Sequence, residues 1–128
     1  MGADFMEYSF SHTGHHFRCE MRGEADINQW PDFMERMLCH ESWRPGTNWL
    51  KDLSHFDAAQ LSVEDVQAIA SLYSAHSKQI GDGKCAVVVS RDLEYGLARM
   101  WGVFVGDGWE AEAQVFRSID EAIAWFDS

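Results

Sequence analysis

A chain of 128 residues with 46% apolar side chains, including six Trp, suits one domain with a single buried core, which argues against disorder. Its formal net charge of −11 repels phosphate backbones and anionic bilayer surfaces, and no basic cluster offsets it, so nucleic acid is not an expected partner. No apolar run approaches the roughly 20 residues of a bilayer crossing, and no basic segment followed by an apolar one marks a leader.

Three cysteines (Cys19, Cys39, Cys85) without CxxC spacing fit a reducing cytoplasm better than a disulfide framework. Met1-Gly2 resembles the start of a myristoylation signal, but Met6 stands where that signal needs Ser or Thr.

Residues 5–10 alternate, with Met6, Tyr8 and Phe10 on one face; the run from His16 to Gly23 alternates too, with Phe17, Cys19 and Met21 opposite His16, Arg18, Glu20 and Arg22. Two such runs joined by a short polar segment containing Gly14 predict an antiparallel hairpin with one wet face. The period then changes. Trp30, Phe33, Met34, Met37 and Leu38 have the spacing of an amphipathic helix, with Asn28 as its expected N-cap and Pro31 in its first turn.

After a turn at WRPGTN, residues 48–54 read as a short strand and residues 61–81 as a helix capped by Ser62, burying Val66, Ile69, Ala70, Tyr73 and Ile80 and stopping at Gly81. CAVVVS (85–90) lacks polar alternation, the mark of a parallel strand covered on both faces. A third helix, with Asp92 as its cap, carries Leu93, Leu97, Met100, Trp101 and Phe104. AQVF (113–116) is the last strand, and Ser118 with Glu121 starts a final helix. The expected architecture is α/β: one mixed sheet in the order β-β-α-β-α-β-α-β-α, covered by four helices in a single domain.

Three segments, KDLSHFD (51–57), CAVVVSRDL (85–93) and VFRSIDEAIAWF (115–126), together with this element order, resemble the STAS-like domains (SpoIIAA-like, STAS/SEC14), relatives of anti-sigma factor antagonists. The resemblance implies a binding or regulatory module acting through a protein partner or a second copy of itself. In the antagonists a serine at the start of the helix after the third strand is phosphorylated. Where their pattern is Asp-Ser-Ser-Gly-like this chain reads FDAAQLS, leaving Ser62 as the hydroxyl in the corresponding place. The SEC14 side of the resemblance implies a hydrophobic small molecule or lipid, held between the second and third helices by Tyr73, Leu97, Met100, Trp101 and Phe104.

Ligands of open α/β sheets collect beyond the carboxyl ends of the parallel strands. Asp52, Ser54, His55 and Asp57 after one strand, and Ser90, Arg91 and Asp92 after another, are therefore expected to line one polar crevice, although capping, turn formation and solvation give each a local role as well.

His12, His15 and His16 read as surface histidines, since no Cys or carboxylate at ligand spacing completes a metal site. Cys39, near a helix C-terminus, is poorly placed to be a nucleophile. Gly81-Asp82-Gly83-Lys84 fails both phosphate-loop spacings, and no GxSxG or HExxH motif is present. No enzyme, metal or cofactor is called for. The third helix stands out instead: Tyr95, Val103 and Val105 extend its apolar surface beyond one stripe while Gly96, Gly102 and Gly106 weaken it, as in a lid, an interface or a pocket wall.

Overall fold

The computed structural model describes residues 5–128, so the Met1-Gly2 dipeptide lies outside the described residues. Five strands, β1 (Glu7–Thr13), β2 (His16–Glu24), β3 (Trp49–Asp57), β4 (Lys84–Val88) and β5 (Glu112–Phe116), form one sheet in the order 1-2-3-4-5. β1 and β2 pair antiparallel through a two-residue turn in which Gly14 has φ +52, while β2, β3, β4 and β5 run parallel. The helices are α1 (Trp30–Leu38), α2 (Val63–Ala75), α3 (Ser77–Ile80), α4 (Asp92–Val105) and α5 (Ile119–Phe126).

Each parallel crossover steps one strand in the same direction. Right-handed connections therefore put α1, α2 and α4 on one face. Their apolar side chains pack there against Phe17, Cys19 and Met21 of β2, Trp49 and Leu53 of β3, and Cys85 and Val87 of β4. The amphipathic α5 covers the other face, seating Ala122, Ile119, Trp125 and Phe126 on Leu50, Ala86, Val88 and Phe116.

The mixed α/β sheet is as expected, with four differences of detail. There are five helices, because the helix expected to reach Ile80 breaks at His76, whose Nδ1 lies 2.9 Å from the Leu72 carbonyl and whose backbone leaves the helical region. Asp26 replaces Asn28 as a cap: its carboxylate accepts from Asn28 N and closes a 3-10 turn that leads into α1. Asp92 is the first residue of α4 rather than its cap, and its carboxylate accepts from Arg117 at 2.7 Å. His16 is buried against Phe126 (ring centroids 5.4 Å apart), while His12 and His15 stay exposed. No metal-binding group occurs among the described residues.

The Ser62 cap forms as the sequence predicts: Ser62 Oγ accepts from Asp65 N and Asp65 Oδ2 accepts from Ser62 N, both at 3.0 Å. Ser118 Oγ likewise accepts from Glu121 N.

Candidate functional site

β3 outruns its neighbour. Trp49 through Asp52 pair with Cys85 through Val88 of β4, but His55, Phe56 and Asp57 pair only with β2, after a register shift that inserts one residue between Asp52 and His55. The extra residue reverses the inward parity, so Trp49, Lys51 and Leu53 face the helices before the bulge and Phe56 faces them after it. Where β4 ends, the following segment covers the free edge of β3: Ser90 Oγ donates to the Ser54 carbonyl at 2.7 Å, and Ala58 N donates to Glu94 Oε2 at 2.9 Å.

This brings the predicted polar residues together in pairs rather than in one crevice. Arg91 donates to Asp57 at 3.2 Å and to both oxygens of the buried Glu94, at 2.8 and 2.5 Å. Burial alone would raise the pKa of Glu94, but Arg91 and the Ala58 N–H outweigh it and hold the carboxylate below its usual range. Asp57 is lowered by the Ala59 N–H and by Arg91.

Asp52 and Ser54 face the α5 side of the sheet. Asp52 accepts from Ser54 N and Oγ and from Arg18 at 3.3 Å, which together overcome its burial and lower its pKa. His55 lies exposed in a shallow groove beside Arg22 and Asp57, and Asp92 is committed to Arg117. Ser62 is exposed, its hydroxyl engaged in the α2 cap.

The α2–α4 side differs in kind. Lys51 is 4% exposed and points from β3 into the aromatic core. Its Nζ donates to Tyr73 Oη at 2.5 Å and lies 4.5 Å from the Tyr73 ring centroid, 4.8 Å from that of Trp101 and 5.9 Å from that of Trp49. Among the described residues no carboxylate lies within ion-pair distance of it. Burial lowers the Lys51 pKa, and burial raises that of Tyr73 well above normal, so the hydroxyl stays protonated.

A cavity of about 50 Å³ adjoins Lys51, walled by Trp30, Leu61, Val66, Glu94, Leu97 and Trp101 among others. At roughly 10–15 Å³ per water it holds about three to five waters or a ligand of a few heavy atoms, far short of the roughly 300 Å³ or more of ordinary ligand pockets. Among the described residues the buried indole N–H groups of Trp49, Trp101 and Trp109 have no acceptor, whereas that of Trp30 is directed at the Tyr73 hydroxyl. Of the residues expected to line a pocket, Leu97 and Trp101 do so and Tyr73 meets Lys51 directly. Met100 is half-buried and does not line it, and Phe104 turns outward.

Sequence reading missed Lys51 and Glu94. The signal for Lys51 was in β3 itself: in Trp49-Leu50-Lys51-Asp52-Leu53, adjacent charges must point to opposite faces of a strand covered on both sides, so each enters a buried layer. Glu94 carried no such signal, because an acidic residue in the first turn of a helix is ordinarily a solvated one.

On α4 the buried stripe is Glu94, Ala98, Trp101 and Val105. Of the residues expected to be buried, Leu93, Leu97, Met100, Trp101 and Phe104, Trp101 belongs to this stripe, and the other four form a second stripe about 100° around the helix. This second stripe is half-buried at its middle and open at both ends, with Leu93 46% and Phe104 38% exposed, and Val103 beside it is 76% exposed. A Cβ at Gly96 or Gly102 would meet nothing, so packing requires neither glycine and each weakens the helix by about 1 kcal/mol relative to alanine.

No protein-family model and no curated protein matches the sequence. Solved structures do match the fold. An uncharacterised protein from the DUF3478 family with a SpoIIAA-like fold, from Shewanella loihica PV-4, superposes over 98% of both chains with a TM-score of 0.63 at 17% identity. An anti-sigma factor antagonist from Mycobacterium paratuberculosis superposes over 98% of this chain and 97% of its own, with a TM-score of 0.66 at 15% identity. The sequential five-stranded sheet, the three crossover helices on one face and the terminal helix on the other are thus those of the SpoIIAA-like fold.

Proposed function

We propose that this chain is a non-catalytic binding and regulatory module that docks a protein partner on the outer face of α4. The observation that carries this reading is the second apolar stripe of that helix. Of six large apolar side chains exposed among the described residues, three, Leu93, Val103 and Phe104, lie on α4, where the fold already has a complete buried stripe. Scattered apolar residues need no explanation, but a contiguous strip on one helix face does.

The formal charge of −11 favours a partner whose contact surface is apolar at its centre and basic at its rim. The likeness to an anti-sigma factor antagonist, a protein that works by contacting another protein, supports the same reading. A lipid is a weaker fit, since the cavity between α2 and α4 is too small for an acyl chain.

Affinity capture with matched baits tests the proposal. Val103→Asp with Phe104→Asp, both on exposed positions, is expected to lose a set of proteins that the unchanged chain and an Ile123→Asp control on α5 retain. If all three baits retain the same set, α4 is not the docking face. Light scattering on the same samples identifies a second copy of the chain as the occupant, should the mass fall from dimer to monomer only in the α4 variant.

A further inference from the structure

The α4 stripe leaves Lys51 unexplained. A lysine in an apolar core without a counter-charge is costly, and leucine or methionine would fill the volume more cheaply. Four features coincide around it: an amine with no carboxylate partner, a protonated hydroxyl 2.5 Å away on Tyr73, a cavity of about 50 Å³, and an indole N–H on cavity-lining Trp101 that has no acceptor among the described residues. A small carbonyl compound uses all four: the amine as nucleophile, the hydroxyl as proton relay, the cavity as its seat and the indole as a donor to its oxygen.

We propose that Lys51 is a covalent capture site for a small 2-oxo acid of the glyoxylate type, held as a Schiff base. The Nζ lone pair adds to the carbonyl carbon and the C=O π bond breaks, its oxygen taking a proton to give a carbinolamine. The C–O bond then breaks, water leaves with a proton from nitrogen, and C=N forms. Amine plus carbonyl gives imine plus water, with no change of oxidation state. Tyr73 Oη, in contact with Nζ, relays the protons.

On taking a proton from water the imine becomes cationic, among the rings of Trp49, Tyr73 and Trp101, which stabilise a cation at their faces. The carboxylate of the 2-oxo acid supplies the acceptor that the Trp101 N–H lacks. Cavity volume limits the ligand to a few heavy atoms.

The other titratable groups around the amine leave it free to react. The thiols of Cys19 on β2 and Cys85 on β4 are raised by burial, Cys85 to about 12, and remain protonated at neutral pH. Glu94 on α4 is matched by Arg91. A desolvated lysine keeps more of its free amine at neutral pH than an exposed one does, the property that makes such lysines nucleophilic.

The chain has only three lysines, so capture is read site by site. Lys78 is exposed, and Lys84 donates to the carbonyls of Trp125 and Ser128. The folded protein is incubated with glyoxylate and cyanoborohydride, digested and mapped by mass spectrometry. Carboxymethylation at Lys51 is expected to exceed that at Lys78 and Lys84 by about tenfold or more in the folded protein and to even out among the three in urea. Labelling of Lys51 equal to or below that of the other two in the folded protein overturns the proposal. The α4 docking face stands or falls separately, since neither Val103 nor Phe104 lines the cavity.

Discussion

Trp101→Ala is expected to lower the stability of the domain by about 3–5 kcal/mol, the range for deleting a buried aromatic side chain from a packed core. Trp101 meets Tyr73 edge-on at 5.1 Å and Trp109 at 5.3 Å between ring centroids, and it closes one side of the space around Lys51 Nζ. Its loss joins the vacated volume to the existing cavity and admits water to the amine, so the cost of the void is added to that of the lost aromatic contacts. Urea unfolding followed by circular dichroism reads the effect as a fall in midpoint. Phe104→Ala, three residues on and facing outward, is the internal control and is expected to cost under about 1 kcal/mol. Equal losses from the two variants would mean that α4 is rotated from the position described.

Gly81→Ala is the second large effect, of order 3 kcal/mol or more, and its cause is backbone rather than core. Gly81 ends α3 with φ +82, a conformation alanine adopts only under strain. A Cβ there would lie 2.9 Å from both Gly46 Cα and Pro45 C, and closer still to Gly46 N. That contact joins the α3–β4 connection to the turn before β3, where Gly46 N donates to the Ile80 carbonyl and the Trp43 indole donates to that of Gln79, both at 2.9 Å. Backbone cannot yield as a flexible side chain would, so the two connections must part. The same unfolding series checks this, with Gly96→Ala on α4 expected to be neutral or stabilising because nothing opposes its methyl group.

The alternation of hydrophobic periods carried the element order because each period maps onto one kind of element. The Ser62 and Ser118 caps were legible because a cap is a local bond between residues three apart. What escaped had non-local causes. The orientation of α4 could not be chosen from its sequence, since apolar residues cover more than half its circumference and only packing against α2 and β3 selects Glu94, Ala98, Trp101 and Val105 as the inner stripe. The bulge in β3 was invisible because it depends on the register with β2. His16 read as a surface residue because the Phe126 ring that covers it lies at the other end of the chain.

The pairing of the strand-end polar residues escaped the sequence for a related reason. Spacing could place Asp57, Arg91 and Asp92 near strand ends but could not reveal that Glu94 and Arg117 would engage them. Charges satisfied within the domain leave little for a ligand. What remains is apolar surface on the outside of α4 and, on its inner side, a lysine amine that has a tyrosine hydroxyl for a partner but no counter-charge.

The proposed docking face is tested most directly by photocrosslinking. A photoreactive amino acid replaces Val103 in one sample and Glu121, on the exposed side of α5, in another, and each is irradiated in an extract of the source cells. Cross-linking of the same protein from position 103 but not from position 121, abolished by Phe104→Asp, is the predicted result. Cross-links that form equally from both positions, or from 121 alone, would contradict it.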